Sequence, residues 1–114
     1  MNAGDVVLVR FPFANIATTK KRPALVLSRA ARTARYRLAT LAMITSQVEA
    51  LKLDGEVLLK DWKSAGLLHP SLLRLAKVAT VDVDLVDEGL GRLSAADRAS
   101  ARDSFRRLFP PWVS

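Results

Sequence analysis

The sequence lacks several of the residues on which familiar enzyme chemistry depends. It contains no cysteine, which excludes a disulfide framework, a thiolate nucleophile and a cysteine zinc site. It contains one histidine, His69, so a Ser-His-Asp triad would have to use that residue, and no serine lies in a G-x-S-x-G elbow. The five glycines are scattered, so no phosphate-binding loop is predicted. These absences leave few routes to catalysis.

The chain also lacks a long apolar run. Its longest uncharged stretch, residues 38–48, has 11 residues, whereas a membrane-spanning helix needs about 20. The first residues lack the basic start and apolar core of a signal peptide, so we expect a cytoplasmic protein that does not enter a membrane. With 114 residues, of which 50% are hydrophobic and 25% charged, the sequence predicts one globular domain over residues 1–114.

Negative charge is scarce in the first half of the sequence. No acidic residue lies between Asp5 and Glu49, whereas eight basic residues do, and the chain has a formal charge of +7. This excess predicts a positive surface that attracts polyanions such as nucleic acid. Acidic residues gather later, in a group formed by Asp82, Asp84, Asp87 and Glu88. The group lacks the spacing of a calcium loop, so we interpret it as the solvated end of a strand and predict neither a metal site nor a cofactor.

Apolar runs and turn residues divide the chain into short strands followed by one helix. The predicted strands lie at residues 5–11, 24–28, 36–44, 56–59, 71–75 and 77–81. Ser94 with Asp97 three residues later has the spacing of a capping box, which predicts the start of a helix. This order of elements predicts a mainly β (α+β) fold, a small, partly open barrel of five to seven strands with a C-terminal α-helix.

Arginine and hydroxyl side chains remain as candidate catalytic groups. RNA can be cleaved without a metal because its own 2′-hydroxyl attacks the phosphorus, and the protein has to orient that hydroxyl and stabilise the charge that develops. A guanidinium presents a fork of donors to two phosphoryl oxygens, and a threonine or serine hydroxyl can add a neutral donor. Arg22 ends a basic loop and is followed by Pro23, which makes it the natural candidate for charge stabilisation.

Four segments of the sequence form a recognisable series. Residues 4–9 with 11–13 are the first segment, residues 22–28, Arg-Pro-Ala-Leu-Val-Leu-Ser, the second, and residues 44–47, Ile-Thr-Ser-Gln, the third. The fourth consists of Gly66-Leu67, Pro70-Ser71, Arg74, Lys77 and Thr80-Val81-Asp82. In this order, over about residues 3–93, the segments resemble the MazF/PemK family of toxin endoribonucleases from type II toxin–antitoxin pairs, nearer the PemK side.

The resemblance implies both a fold and an activity. It implies an SH3-like barrel that forms a homodimer and cleaves single-stranded RNA without a metal, leaving a 2′,3′-cyclic phosphate and a 5′-hydroxyl. By position, Arg22 and Thr45 match the catalytic arginine and threonine of the family. Arg74 matches an arginine that acts as an acid on the PemK side.

The resemblance leaves the general base open. Where the PemK side has a catalytic aspartate two residues after its arginine, this chain has Ala76. An arginine stays protonated at neutral pH, so Arg22 is predicted to stabilise charge and not to accept a proton. His69 and Glu56 are the alternative groups for proton transfer.

Binding of single-stranded RNA requires cations for the phosphates and flat side chains for the bases. The predicted RNA-binding residues are Lys20, Lys21, Arg29, Arg10, Arg35, Arg37, Phe13, Gln47, Trp62 and Lys77. The positive charge and the resemblance together predict an acidic antitoxin protein as a partner. Two other functions stay open: a topoisomerase poison of the CcdB type, and a nucleic-acid-binding barrel without catalysis.

Overall fold

The computed structural model describes residues 1–11, 20–31, 35, 37–49 and 53–109. In these ranges the backbone forms six strands, one short 3₁₀-helix and one α-helix. In chain order they are β1 (Asp5–Phe11), β2 (Lys20–Ala31), β3 (Arg37–Thr45), β4 (Glu56–Leu58), β5 (Leu72–Asp82), the 3₁₀-helix Val83–Leu85, β6 (Val86–Arg92) and α1 (Ala95–Leu108). The prediction of a mainly β fold with a C-terminal α-helix is confirmed. Neither helix in these ranges has the length and apolar character needed to cross a bilayer.

The six strands form one antiparallel sheet in the order β4-β5-β3-β2-β1-β6. Strands β1, β2 and β3 pair in sequence order, β5 adds to the outer side of β3, and β6 returns to the outer side of β1. Within the described part of the chain β4 and β6 are the two edges. The sheet is therefore open, as expected for a partly open barrel.

Hydrophobic clusters cover both faces of the sheet, which explains the unbroken apolar runs of the first strands. The first cluster lies against α1 and includes Val6, Leu25, Ile44, Leu73 and Leu75. The second cluster includes Val7, Val9, Val26, Leu41 and Val81. Successive side chains of a strand point to opposite faces, so the neighbours Val6 and Val7 enter different clusters. A strand buried on both faces has no polar alternation in its sequence.

The helix α1 begins at the predicted cap. Ser94 Oγ accepts the backbone N–H of Asp97 at 3.1 Å. The Asp97 carboxylate is buried, and it accepts the backbone N–H groups of Lys60 at 3.0 Å and Asp61 at 2.9 Å. Hydrogen bonds to a charged acceptor are stronger than those between neutral groups. The start of α1 therefore holds the chain segment that leaves β4.

The two strands predicted at residues 71–75 and 77–81 are a single strand, so that prediction was wrong. β5 is continuous, but its pairing with β3 shifts between Arg74 and Val78. Extra residues at such a shift form a bulge, which leaves part of one strand unpaired and interrupts the alternation of buried side chains. The interruption in the sequence pattern comes from this bulge and not from a turn.

The strand β6 is one that the sequence pattern does not predict. Its sequence, Val-Asp-Glu-Gly-Leu-Gly-Arg, contains two glycines and two acidic residues, which are depleted in strands. It forms because it pairs with β1. The predicted end of the second strand at residue 28 was also wrong, since β2 pairs with β3 as far as Ala31, which lies opposite Arg37. In both places tertiary pairing outweighs local preference.

Candidate active site

A pocket of about 450 Å³ lies at the end of the sheet where β2 begins and β3 ends. Its wall combines the strands β1, β2, β3 and β6 with the segment that joins β4 to β5. The polar side chains that line it include Lys21, Arg22, Thr45, His69, Ser71 and Glu88. The structure thus brings together Arg22, Thr45 and His69, which the sequence analysis selects for catalysis.

The sheet register places Arg22 and Thr45 on neighbouring strands. Ala24 of β2 pairs with Met43 of β3, and Arg22 and Thr45 each lie two residues beyond this last pair, at the same end of the sheet. Proline has no backbone N–H to donate, so it fits best where a strand is paired on one side only. Pro23 is such a position, because it pairs with Leu8 of β1 but lies before the first pair between β2 and β3, at Ala24. The register therefore points the arginine and the threonine at the same end of the sheet.

The Thr45 hydroxyl is held by the backbone that follows it. Its Oγ1 accepts the N–H of Gln47 at 3.1 Å, and the residue is half-buried. A threonine hydroxyl has one proton to donate besides its lone pairs. The bond from Gln47 fixes the oxygen and leaves this proton for a ligand in the pocket.

Arg22 is the exposed cation of the pocket that the fold leaves without a partner among the described residues. The Nζ atom of its neighbour Lys21 lies 2.9 Å from Oδ2 of Asp87. The Nε atom of Arg10 lies 3.2 Å from Oδ1 of the same carboxylate. The pKa of Asp87 is lowered below its usual value of 3.8, chiefly by the hydrogen bond from Lys21. Desolvation of the carboxylate raises this pKa, whereas the positive charges of Lys21 and Arg10 lower it further. Lys21 is thus neutralised within the protein, whereas Arg22 is available for an anionic ligand.

His69 reaches the pocket on the segment that joins β4 to β5. Gly66 in this segment has a φ of +82°, and a side chain there would clash with the backbone carbonyl of Leu90 in β6. The segment therefore lies directly against β6. Ser71, which is buried, donates through Oγ to the carbonyl oxygen of His69 at 2.8 Å. These two contacts fix the turn that carries the imidazole.

Glu88 is a pocket residue that the sequence analysis does not select. It lies on β6 opposite Leu8 of β1, and both residues line the pocket. Its carboxylate has no hydrogen bond or ion pair to another residue in the described part of the chain. The sequence shows only that an acidic group lies at residues 82–88. The pairing of β6 with β1 is what places Glu88, and no other member of this group, among the residues that line the pocket.

The other members of the acidic group have separate structural roles. Asp82 caps the 3₁₀-helix, with its Oδ1 accepting the N–H of Asp84 at 2.9 Å. Asp87 is held by Lys21 and Arg10. Nowhere in the described ranges do three or more histidine, aspartate or glutamate side chains gather closely enough to hold a metal ion.

Arg74 and Glu56 lie outside the pocket and bind each other. Arg74 Nε donates to Glu56 Oε2 at 2.7 Å, and the two side chains are only 17% and 4% exposed. The second oxygen, Oε1, accepts the backbone N–H of Leu53 at 2.8 Å. Neither of these two predicted catalytic residues lines the pocket of Arg22 and Thr45, although Arg74 pairs with Met43, two residues from Thr45.

Three of the predicted RNA-binding cations lie far from the pocket. Arg29 and Arg37 belong to the opposite end of the β2–β3 pair, since seven residues of β2, at about 3.3 Å each, separate Arg29 from Arg22. Arg29 donates to the carbonyl oxygen of Met1 at 3.1 Å. Arg35 lies in the connection between the two strands.

The remaining predicted RNA contacts have varied surroundings. Lys20 and Gln47 are exposed and adjoin pocket-lining residues in the sequence. Lys77 is exposed in the bulge of β5. Trp62 is half-buried against the first hydrophobic cluster. Phe13 lies outside the described residues.

This fold, with an arginine and a threonine at one end of an open sheet, is the class of structure that the resemblance implies. The sequence matches the model of a family described as PemK-like, MazF-like toxin of type II toxin–antitoxin system, over residues 2–109. The chain belongs to this toxin family, and the resemblance is confirmed. No curated protein matches the sequence.

Solved structures of MazF toxins share the fold. MazF from Deinococcus radiodurans is 27% identical, with a TM-score of 0.70 over 96% of each chain. The Mycobacterium tuberculosis toxin MazF-mt6 is 23% identical, with a TM-score of 0.71 over 93% of this chain and 96% of its own. An endoribonuclease in complex with its cognate antitoxin, from a mycobacterial species, is 14% identical, with a TM-score of 0.72 over 96% of this chain and 95% of its own.

Proposed function

We propose that this toxin is an endoribonuclease that cleaves single-stranded RNA without a metal. The observation that carries the proposal is one pocket lined by both Thr45 and Arg22, whose guanidinium has no partner among the described residues. An exposed arginine in a pocket of this size suits a phosphate with its neighbouring sugar. The membership of the toxin family and the MazF structures support the same activity.

In the proposed reaction the 2′-hydroxyl oxygen of RNA attacks the adjacent phosphorus. The bond from phosphorus to the 5′-oxygen breaks, which leaves a 2′,3′-cyclic phosphate on one product and a 5′-hydroxyl on the other. Negative charge grows on the phosphoryl oxygens as the fifth bond forms. Arg22 is assigned the stabilisation of this charge, and Thr45 the donation of one hydrogen bond to a phosphoryl oxygen.

We further propose that the protein acts as a homodimer and is inhibited by an acidic antitoxin. Structures of MazE–MazF from Deinococcus radiodurans are 24% and 25% identical to this chain. The charge of +7 favours an acidic partner, because complementary charges speed association and suppress wrong partners. Such a protein would act in the cytoplasm, where its RNA substrate is found.

A cleavage assay with chelator tests the activity. Labelled single-stranded RNA, incubated with the protein and EDTA, should yield fragments with 2′,3′-cyclic phosphate and 5′-hydroxyl ends. The same oligonucleotide with deoxyribose throughout should stay intact, because it lacks the nucleophile. Arg22→Ala should reduce the cleavage rate by about 10²–10³-fold, as for the loss of one preorganised charge stabiliser.

Arg106→Ala is the matched control, because Arg106 is exposed on α1 and does not line the pocket. Its rate should stay within about twofold of that of the parent. RNA that binds with a steep salt dependence but remains intact would instead identify a nucleic-acid-binding barrel without catalysis. Intact RNA together with capture of gyrase would favour the CcdB-like alternative.

A further inference from the structure

The pocket contains a proton acceptor and a proton donor that the fold does not use. Its charged and titratable lining groups are Lys21, Arg22, His69 and Glu88. Lys21 is paired with Asp87. The side chains of the other three have no hydrogen bond or ion pair to any residue that the structure describes. Glu88, His69 and Arg22 therefore line one pocket, and the described residues leave their side chains unpaired.

Both proton-transfer groups are mounted on well-fixed backbone. Glu88 belongs to β6 and is held by pairing with Leu8. The turn with His69 is fixed by the contact of Gly66 with Leu90 and by the bond from Ser71. Because the segment with His69 is packed directly on β6, Glu88 and His69 belong to adjoining parts of the pocket wall. Groups held by rigid neighbours lose little freedom when a substrate binds.

The structure narrows the choice of general base. A guanidinium does not serve as a proton acceptor, which excludes Arg22, and Ala76 has no group that accepts a proton. Glu56 lies outside the pocket with both oxygens engaged by Arg74 and Leu53. Glu88 is the one carboxylate among the pocket-lining residues, and His69 is the one imidazole.

We propose, building on the ribonuclease function above, that Glu88 is the general base and His69 the general acid of RNA cleavage. The Glu88 carboxylate takes the proton of the 2′-hydroxyl as its oxygen bonds to phosphorus. The imidazolium of His69 gives a proton to the 5′-oxygen as the bond from phosphorus to that oxygen breaks. Arg22 holds the phosphoryl oxygens between them. Water reprotonates the histidine and removes the proton from the carboxyl group, so one cycle leaves the enzyme unchanged.

Two RNA oligonucleotides of one sequence, cut at one site, separate these roles. One has the natural 5′-oxygen at the cleaved bond, and the other has sulfur there, which leaves as a thiolate and needs no proton. On the natural substrate Glu88→Gln and His69→Asn should each slow turnover by about 10²–10⁴-fold. On the sulfur substrate the His69→Asn defect should shrink to within about tenfold, whereas the Glu88→Gln defect should persist.

Binding and charge controls accompany the rates. An oligonucleotide with a 2′-methoxy group at the cleaved site, which cannot react, should bind both variants within about threefold of the parent, so that the loss appears in kcat and not in KM. Asp103→Asn removes a carboxylate from the exposed side of α1, away from the pocket, and should cleave at the parent rate.

Three results would overturn the assignment. Rates within threefold of the parent for both variants would show that neither group transfers a proton. A His69→Asn defect that sulfur does not reduce, or a Glu88→Gln defect that sulfur does reduce, would remove or exchange the two roles. Failure of the parent itself to cleave either oligonucleotide would contradict the ribonuclease proposal, which keeps the two failures apart.

Discussion

Two places in this molecule bring an arginine and a glutamate into one neighbourhood, and their surroundings give them different uses. Arg74 and Glu56 are largely buried and bonded to each other at 2.7 Å. Arg22 and Glu88 line an open pocket, and neither has a partner in the described part of the chain. In the first pair the two charges bind each other within the protein, whereas in the second both side chains are available to a ligand.

The comparison shows why a residue type alone does not identify a site. Taking a charged pair out of water costs free energy, and the mutual attraction offsets this only while both partners are present. Arg74 and Glu56 are therefore expected to be interdependent for stability. Exposed Arg22 and Glu88 need no partner for folding, because water solvates them until a substrate arrives.

The largest effect on stability is expected at the buried pair. Arg74→Ala or Glu56→Ala should each lower the free energy of unfolding by roughly 3 kcal/mol, because the remaining charge loses its partner in a partly dry site. Urea titration measures the loss. The double variant Arg74→Met/Glu56→Leu should lose less than the sum of the single changes, since no unpaired charge remains.

The same variants also test whether the two regions have separate roles. The folded fraction of Arg74→Ala should cleave RNA within about threefold of the parent rate, in contrast to Arg22→Ala. A stable, folded Arg74→Ala protein that has lost about 100-fold in kcat would instead place Arg74 in the reaction, as the family resemblance implies.

A smaller effect is expected at Thr45. Thr45→Val removes the proton donor and keeps the shape of the side chain, so the cleavage rate should fall roughly five- to tenfold, as for one neutral hydrogen bond of about 1–1.5 kcal/mol. Thr45→Ser should retain most of the rate. The control is Thr40→Val, because Thr40 bonds Thr80 at 2.9 Å on the sheet and does not line the pocket. Equal rate losses at Thr45 and Thr40 would contradict a direct role for the Thr45 hydroxyl.

The smallest effect is expected at Asp87. Its pKa in the folded protein is lowered, chiefly by the hydrogen bond from Lys21, so its ionised form stabilises the fold at pH values above the unfolded-state pKa. This contribution is lost as the pH falls through the lowered pKa, below the usual value of 3.8. Melting temperatures measured from pH 7 down to pH 2.5 should fall slightly less for Asp87→Asn than for the parent. Identical acid-side slopes would contradict this role.

Much of the fold follows from local sequence pattern. The strands β1, β2 and β3 were predictable because their apolar runs are long, and α1 because Ser94 and Asp97 form its cap. The strand β6 was not, since its glycines and acidic residues form a strand only by pairing with β1. The bulge of β5 was taken for a break, because extra residues in one strand and a turn interrupt alternation in the same way.

The sequence by itself determined the toxin family, the order of most elements and the selection of Arg22 and Thr45, because these depend on short motifs and on local periodicity. The tertiary structure alone decided that Glu56 and Arg74 neutralise each other and that Glu88 joins His69 in the pocket. The physical reason is that the availability of a charged side chain depends on which distant strands surround it. Such neighbours are set by the sheet order and register, which no local segment of the chain contains.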